Sequence, residues 1–82
     1  MNELTILISC PDQVGLVTNI TRVLAAHQLN IVAMREFVDE PNRAFFTRIA
    51  CVGNVNEQEK LKHILLDNLP DNAVVNLITQ AE

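Results

Sequence analysis

The sequence predicts an α+β sandwich in which two helices cover one face of a four-stranded antiparallel sheet. Four apolar runs of strand composition and two amphipathic runs of helical period follow one another in the order β-α-β-β-α-β. Each half is a strand–helix–strand unit of roughly 40 residues, whose crossover should be right-handed. The arrangement that satisfies both halves is a ferredoxin-like βαββαβ sandwich with the strand order 2-3-1-4.

The first strand is predicted at residues 4–8, where an unbroken apolar run is typical of a central strand with both faces covered. Pro11 ends it because proline has no amide to donate, and Asp12 is a good N-cap for the following helix. Inward positions of that helix recur at i, i+3, i+4 and i+7. They are Leu16, Val17, Ile20, Val23, Leu24 and His27.

Gly15 stands in the predicted first turn of this helix, where glycine is about 1 kcal/mol worse than alanine. Two explanations are open. The missing side chain relieves crowding between helix and sheet, or it leaves backbone amides accessible to a ligand or another chain.

A hairpin follows the first helix. Asn30 is expected to hold a turn by bonding its own backbone, before a second strand over residues 31–39. Residues 40–43 form a turn in which Pro41 occupies the position that suits its fixed φ. A third strand then covers residues 44–52.

The second helix is predicted to begin at Asn56, because Glu59 follows at the spacing of a capping box. Pro70 stops this helix, and a fourth strand covers residues 72–79. The inward face of the helix consists of Leu61, Ile64, Leu65 and Leu69.

Composition favours a small domain that associates with itself. Of the 82 residues, 49% are hydrophobic, which exceeds what so thin a core can bury. The net charge of −4 argues against nucleic acid and anionic membranes as partners. We expect a cytoplasmic location, because no signal peptide, long apolar span or lipidation motif is recognisable.

The two cysteines, Cys10 and Cys51, are expected to be small buried side chains in a reduced protein. Neither belongs to a pair with metal-ligand spacing, so no metal or other cofactor is predicted. In the predicted sheet they lie at opposite ends of neighbouring strands, about 20 Å apart, which is beyond disulfide reach.

Catalysis and RNA binding are both disfavoured. His27 is expected at a helix end, where its charge suits the macrodipole, and His63 lies on the other helix, so no shared acid–base site is predicted. Phe45 and Phe46 are consecutive and must face opposite sides of a strand, which together with the acidic balance argues against an RNA-binding sheet.

The run from Asp12 to Val17, followed by Leu29, Asn30 and Ile31, resembles the signature of ACT domains, the small amino-acid-sensing modules of metabolic enzymes. The resemblance implies that an effector lies in a cleft between two paired domains. It assigns effector contact to Asp12, Gly15, Leu16, Asn30 and Ile31. Helix amides suit a carboxylate and Asp12 suits an ammonium group, which is chemically consistent.

A narrower resemblance is to the N-terminal ACT domain of formyltetrahydrofolate deformylases, and it covers most of residues 4–52. It rests on residues 10–16 and 29–32 together with the hairpin segments 36–39 and 45–48. Members often carry glycine then arginine before the paired phenylalanines, whereas this chain has Arg43 and Ala44, so a glycine turn is not expected. Arg48 matches the arginine that the family has after the paired phenylalanines. Its simplest role is a surface ion pair with Glu36 or Asp39.

The resemblance implies a regulatory domain over residues 1–82 without catalytic residues. In the family, a larger C-terminal formyltransferase-like domain hydrolyses 10-formyltetrahydrofolate to tetrahydrofolate and formate for purine synthesis. Glycine, serine or methionine would be a suitable effector, and a homodimer or higher oligomer is expected. The alternative is a stand-alone ACT protein that acts by protein–protein contact, for instance in glycine metabolism.

Overall fold

The computed structural model describes residues 2–54 and 56–80, and its elements follow the predicted order. The four strands form one antiparallel sheet in the order β2-β3-β1-β4, which confirms the predicted ferredoxin-like topology. The elements are β1 (Asn2–Pro11), α1 (Leu16–Ala26), β2 (Asn30–Asp39), β3 (Ala44–Gly53), α2 (Gln58–Asp67) and β4 (Val74–Gln80).

The core lies between the helices and one face of the sheet. Alternate residues of β1 and β3 point into it, with Ile6 directly opposite Ile49, and both are fully buried. The helices contribute most of the predicted stripes: Leu16, Ile20, Val23 and Leu24 of α1 and Leu61 and Leu65 of α2 are buried. The prediction that Val17 faces inward is wrong, because its side chain is 38% exposed. Phe45 is buried in the core and Phe46 is on the other face, as their adjacency requires.

The opposite face of the sheet, which we call the open face, carries no helix. The prediction that β1 is covered on both faces is therefore wrong, because Leu7 and Ser9 on this side remain partly exposed. The unbroken apolar run of β1 reflects its central position and the apolar character of the open face.

Both predicted side-chain caps are wrong. The N-cap of α1 is Gly15 rather than Asp12, and the N-cap of α2 is Glu57 rather than Asn56; neither has a side-chain cap hydrogen bond. The Asn56 amide instead donates to Asn54 Oδ1 at 3.0 Å. The first residue of each helix is therefore determined by the backbone path of the preceding loop.

The connections after α1 and β2 contain left-handed residues. His27 is the C-cap of α1, as predicted, and its Nδ1 lies 3.1 Å from the Val23 carbonyl oxygen. Gln28, with φ 58°, turns the chain, whereas Asn30 is already the first residue of β2 and does not hold the turn. In the hairpin, the Arg43 amide donates to the Glu40 carbonyl at 3.1 Å, which confirms that turn.

Both cysteines are free and buried, as predicted. Cys51 is opposite Leu4 and Cys10 is opposite Phe45, so they lie at opposite ends of the β1–β3 pair. Burial raises the pKa of both thiols, and the charge of Asp12 raises that of Cys10 further, as Glu3 does for Cys51.

Within residues 2–54 and 56–80, no helix has the length and apolar character needed to cross a membrane. The same part of the chain contains no group of three or more His, Cys, Asp or Glu side chains arranged to hold a metal ion.

Candidate functional site

The loop between β1 and α1 is held by backbone contacts. The Asp12 amide donates to the Arg43 carbonyl at 2.8 Å, which joins this loop to the β2–β3 turn. The Gly15 carbonyl accepts from the Asn19 amide at 3.0 Å, which begins the helix. Because no side chain caps the first turn of α1, its leading amides are left to water or a ligand.

Gly15 is required by backbone conformation and not by crowding. Its φ of 91° and ψ of 4° lie in the left-handed region that glycine adopts without penalty. A Cβ built on Gly15 would have no atom within 4 Å, so the explanation from helix–sheet crowding is wrong. The open space beside Gly15 remains accessible from solvent.

A shallow depression of about 320 Å³ adjoins this loop and is bounded on its far side by β2. Its carboxylates are Asp12 and Glu36, which face the same space from different elements. The complete lining is Asp12, Gln13, Gly15, Leu16, Val17, Thr18, Glu36, Val38 and Phe45.

Glu36 and Val38 are lining residues that the sequence-based assignment lacks. Both lie on the helix side of β2, because Glu36 is opposite Thr47 and Val38 is opposite the buried Phe45. Side chains alternate between the two faces of β2 from Met34 onwards. Once the turn fixes the register of the hairpin, this alternation predicts that Glu36 and Val38 lie on the helix side.

Asn30 and Ile31 do not join Asp12, Gly15 and Leu16 within one chain. Asn30 is opposite Val52 at one end of the sheet, whereas Asp12 follows Pro11 at the other end, beside Ala44. Along β2 this separation is about nine residues, or about 30 Å. The five predicted effector residues therefore form two separate groups on a single chain.

Four exposed valines lie on or near the edge strand β2: Val14 in the loop before α1, Val17 on α1, and Val32 and Val38 on β2. Val14 is 99% exposed. We call these four residues the edge patch, because β2 is an edge strand of the sheet.

The open face carries a second apolar surface, arranged in rows across the strands. The aromatic row contains Phe37, Phe46, Ser9 and Val74, and the arginine row contains Arg35, Arg48, Leu7 and Asn76. The two phenylalanine rings are in contact, with centroids 6.2 Å apart. Together the rows form a shallow groove of about 350 Å³.

The predicted ion pair of Arg48 is wrong. Arg48 is opposite Arg35 on the open face, whereas Glu36 points to the helix side. Among the residues that the structure describes, the one ion pair is Lys60 with Glu57, at 3.7 Å on the exposed side of α2. Arg48 thus faces another cation across the β2–β3 pair.

Comparison with known proteins identifies the fold family. The model of the ACT domain matches residues 4–65, which is most of the chain. This chain belongs to the ACT domain family. The strand order and the two helices are those of the ACT domain fold.

Sequence relatives of this ACT domain are named formyltetrahydrofolate deformylase. The chain is 38% identical over 73 residues to the protein of Haemophilus influenzae and 42% identical over 69 residues to that of Escherichia coli K12. These alignments cover 89% and 83% of the chain but 26% and 24% of the relatives. The chain spans about a quarter of the curated relatives that it matches, in their N-terminal portion.

Solved structures share the fold at lower sequence identity. A formyltetrahydrofolate deformylase from Pseudomonas syringae pv. tomato has a TM-score of 0.83 and 20% identity, over 100% of this chain and 28% of that one. A putative glycine cleavage system transcriptional repressor has a TM-score of 0.79 and 13% identity, over 99% of this chain and 46% of that one.

Proposed function

We propose that this ACT domain is the regulatory, self-associating and amino-acid-binding part of a formyltetrahydrofolate deformylase of the cytoplasm. The full-length enzyme would hydrolyse 10-formyltetrahydrofolate to tetrahydrofolate and formate for purine synthesis, and this domain would have no catalytic role. The observation that supports regulation is the depression beside Gly15, where uncapped helix amides and two carboxylates face one small space. The sequence similarity to formyltetrahydrofolate deformylases is the reason for proposing this enzyme as the full-length protein.

The charges of this depression match those of a free amino acid. The first-turn amides of α1 and the helix dipole suit a carboxylate. Asp12 and Glu36 suit an ammonium group on the other side of the same space. A volume of about 320 Å³ suits a small effector such as glycine, serine or methionine.

Pairing of two copies along β2 would complete this site. In an antiparallel pair of edge strands, Asn30 of one copy lies beside the Asp39 end of the other, close to that copy's Asp12–Gly15 loop. The effector groups that are separated within one chain would then meet at the seam. The edge patch, with Val14 and Val32, would be covered by the same pairing.

Amino-acid titration of the thermal transition tests effector binding. An effector at 100 times its dissociation constant should stabilise the chain by about 2.7 kcal/mol. Asp12→Asn and Asn30→Ala should each abolish the shift, whereas Asp67→Asn, on the exposed side of α2, should keep it. No shift with glycine, serine, methionine or any other amino acid would reject effector binding and leave only pairing.

A second candidate is a stand-alone ACT protein that regulates glycine metabolism by protein–protein contact. Its support is the structural likeness to the putative glycine cleavage repressor, which covers the whole fold. The length of the native reading frame separates the two candidates. A frame that continues for roughly 200 residues favours the enzyme, since a typical further domain has about that length, and a stop near residue 82 favours the regulator.

A further inference from the structure

We propose that the open face is a second pairing surface, which stacks on the open face of another copy of this chain. In this arrangement the aromatic row lies on the two-fold axis, and Arg35 faces Asp39 of the second copy. The inference deepens the self-association in the proposed function and assigns it a surface distinct from the edge patch.

The open face exposes more large apolar side chains than a sheet face in contact with solvent alone needs. Phe37 is 64% exposed and Phe46 is 42% exposed, and Val74 and Ile78 continue the apolar area onto β4. The groove between the rows is lined by side chains of all four strands, so it belongs to an extended face and not to one enclosed site. An exposed apolar sheet face is suited to another sheet, packed about 10 Å away.

The arginine row favours a partner that brings an anion to it. Arg35 and Arg48 are direct cross-strand neighbours, and like charges at such positions repel. Neither forms an ion pair with any residue that the structure describes. A partner that brings carboxylates to this row would remove the repulsion.

The open face itself carries a carboxylate, that of Asp39, two rows away from the arginine row. Asp39 is opposite Ala44, beyond the aromatic row, and follows Arg35 and Phe37 on one side of β2. Its Oδ2 accepts from Asn42 Nδ2 at 2.8 Å, which holds the carboxylate in position. The rows are about 7 Å apart, as two residues of a strand require.

A two-fold axis along the aromatic row brings these charges together. It places Phe37 and Phe46 over their own counterparts and Arg35 of each copy over Asp39 of the other, whereas Arg48 lies over Ala44. An axis along the arginine row would oppose four cations. An axis parallel to the strands would place the arginines over Asn76 and Leu7, which carry no charge.

The available area is sufficient for a specific contact. Four strands about 5 Å apart and about 27 Å of strand length give roughly 500 Å² per copy. The resulting total of about 1,000 Å² is at the lower limit for a specific interface. With the edge patch also occupied, the two surfaces together would produce a tetramer.

Sedimentation equilibrium of charge-swap variants tests the inference. Val32→Lys, in the edge patch, isolates the open face, and this variant should be a dimer. In that background, Arg35→Asp and Asp39→Arg should each weaken dimerisation at least tenfold, and the double swap should restore it. Lys60→Asp and Asp67→Arg, on α2, are controls with the same charge changes and should have no effect.

The outcomes separate this inference from the proposed function. A wild-type dimer that Val32→Lys converts to a monomer overturns open-face pairing and keeps edge pairing. The inference is also overturned if the double swap fails to restore the dimer while circular dichroism confirms that the variant is folded. A wild-type monomer at concentrations near 1 mM, which corresponds to about 4 kcal/mol of association, overturns both forms of pairing.

Discussion

Replacement of Gly15 by alanine measures the energetic cost of its backbone conformation alone. At φ 91° a residue with a Cβ is disfavoured by about 1–2 kcal/mol. The new methyl group meets no atom within 4 Å, so no steric cost is added. Alanine also lowers the entropy of the unfolded chain, which returns about 0.4–1 kcal/mol. We expect a net loss of about 1 kcal/mol, or a decrease in Tm of about 4–8 °C.

Gly53 is the matched comparison for this substitution. It also has a positive φ, of 150°, but a Cβ there would lie 3.0 Å from the Gln28 carbonyl oxygen and 3.1 Å from Leu29 Cδ2. Because Leu29 is buried and the carbonyl is backbone, neither atom can move freely. Gly53→Ala should therefore cost about 2 kcal/mol or more.

Urea denaturation followed by far-UV circular dichroism gives both free energies of unfolding. Gly15→Asn is a further variant, because asparagine tolerates the left-handed region, and it should recover part of the loss at Gly15. The reasoning is refuted if Gly15→Ala is as destabilising as Gly53→Ala, because Gly15 would then lie against packed atoms. It is also refuted if Gly15→Ala has no cost.

Two further predictions concern Arg43 and the thiols. Arg43→Gly should stabilise the fold by up to about 1 kcal/mol in urea denaturation, because Arg43 has a φ of 51°; a loss of stability would contradict this. Since burial raises the pKa of Cys10 and Cys51 in the fold, the unfolded chain loses these protons first, and stability should fall as pH rises above about 8.5. Urea midpoints at pH 7.5 and 9.5 test this, and replacement of both cysteines by alanine should reduce the difference.

The elements of the fold could be predicted from the sequence because each has a clear period and clear stop residues. The α1 stripe through Ile20 and Leu24 and the hairpin turn at Pro41 helped to give the β-α-β-β-α-β order, and right-handed crossovers in both halves then gave the strand order. The caps could not be predicted, because Asp12 and Asn56 have suitable side chains but the chain path places the N-caps at Gly15 and Glu57.

The two surfaces depend on register, which local pattern specifies only in part. Once the turn at 40–43 is fixed, pairing of Arg35 with Arg48 and of Phe37 with Phe46 follows by counting along the strands. The irregularity between Ile31 and Ala33 cannot be counted in this way, and it changes the register of Asn30. The separation of Asn30 from the Gly15 loop appears only when the strands are placed in the sheet.

The pairing of β1 with β4 has a consequence for how the chain folds. Glu3 is opposite Gln80, so the sheet is completed only when the two most distant strands meet. The β2–β3 hairpin needs only local closure and should form early, whereas β1–β4 contacts require a long loop to close. During synthesis one edge of β1 therefore stays unpaired until almost all of the domain has left the ribosome. Over that interval the segment with Leu4, Ile6 and Ile8 is the one most exposed to incorrect strand pairing. Pairing with β4 covers this edge and ends the exposure.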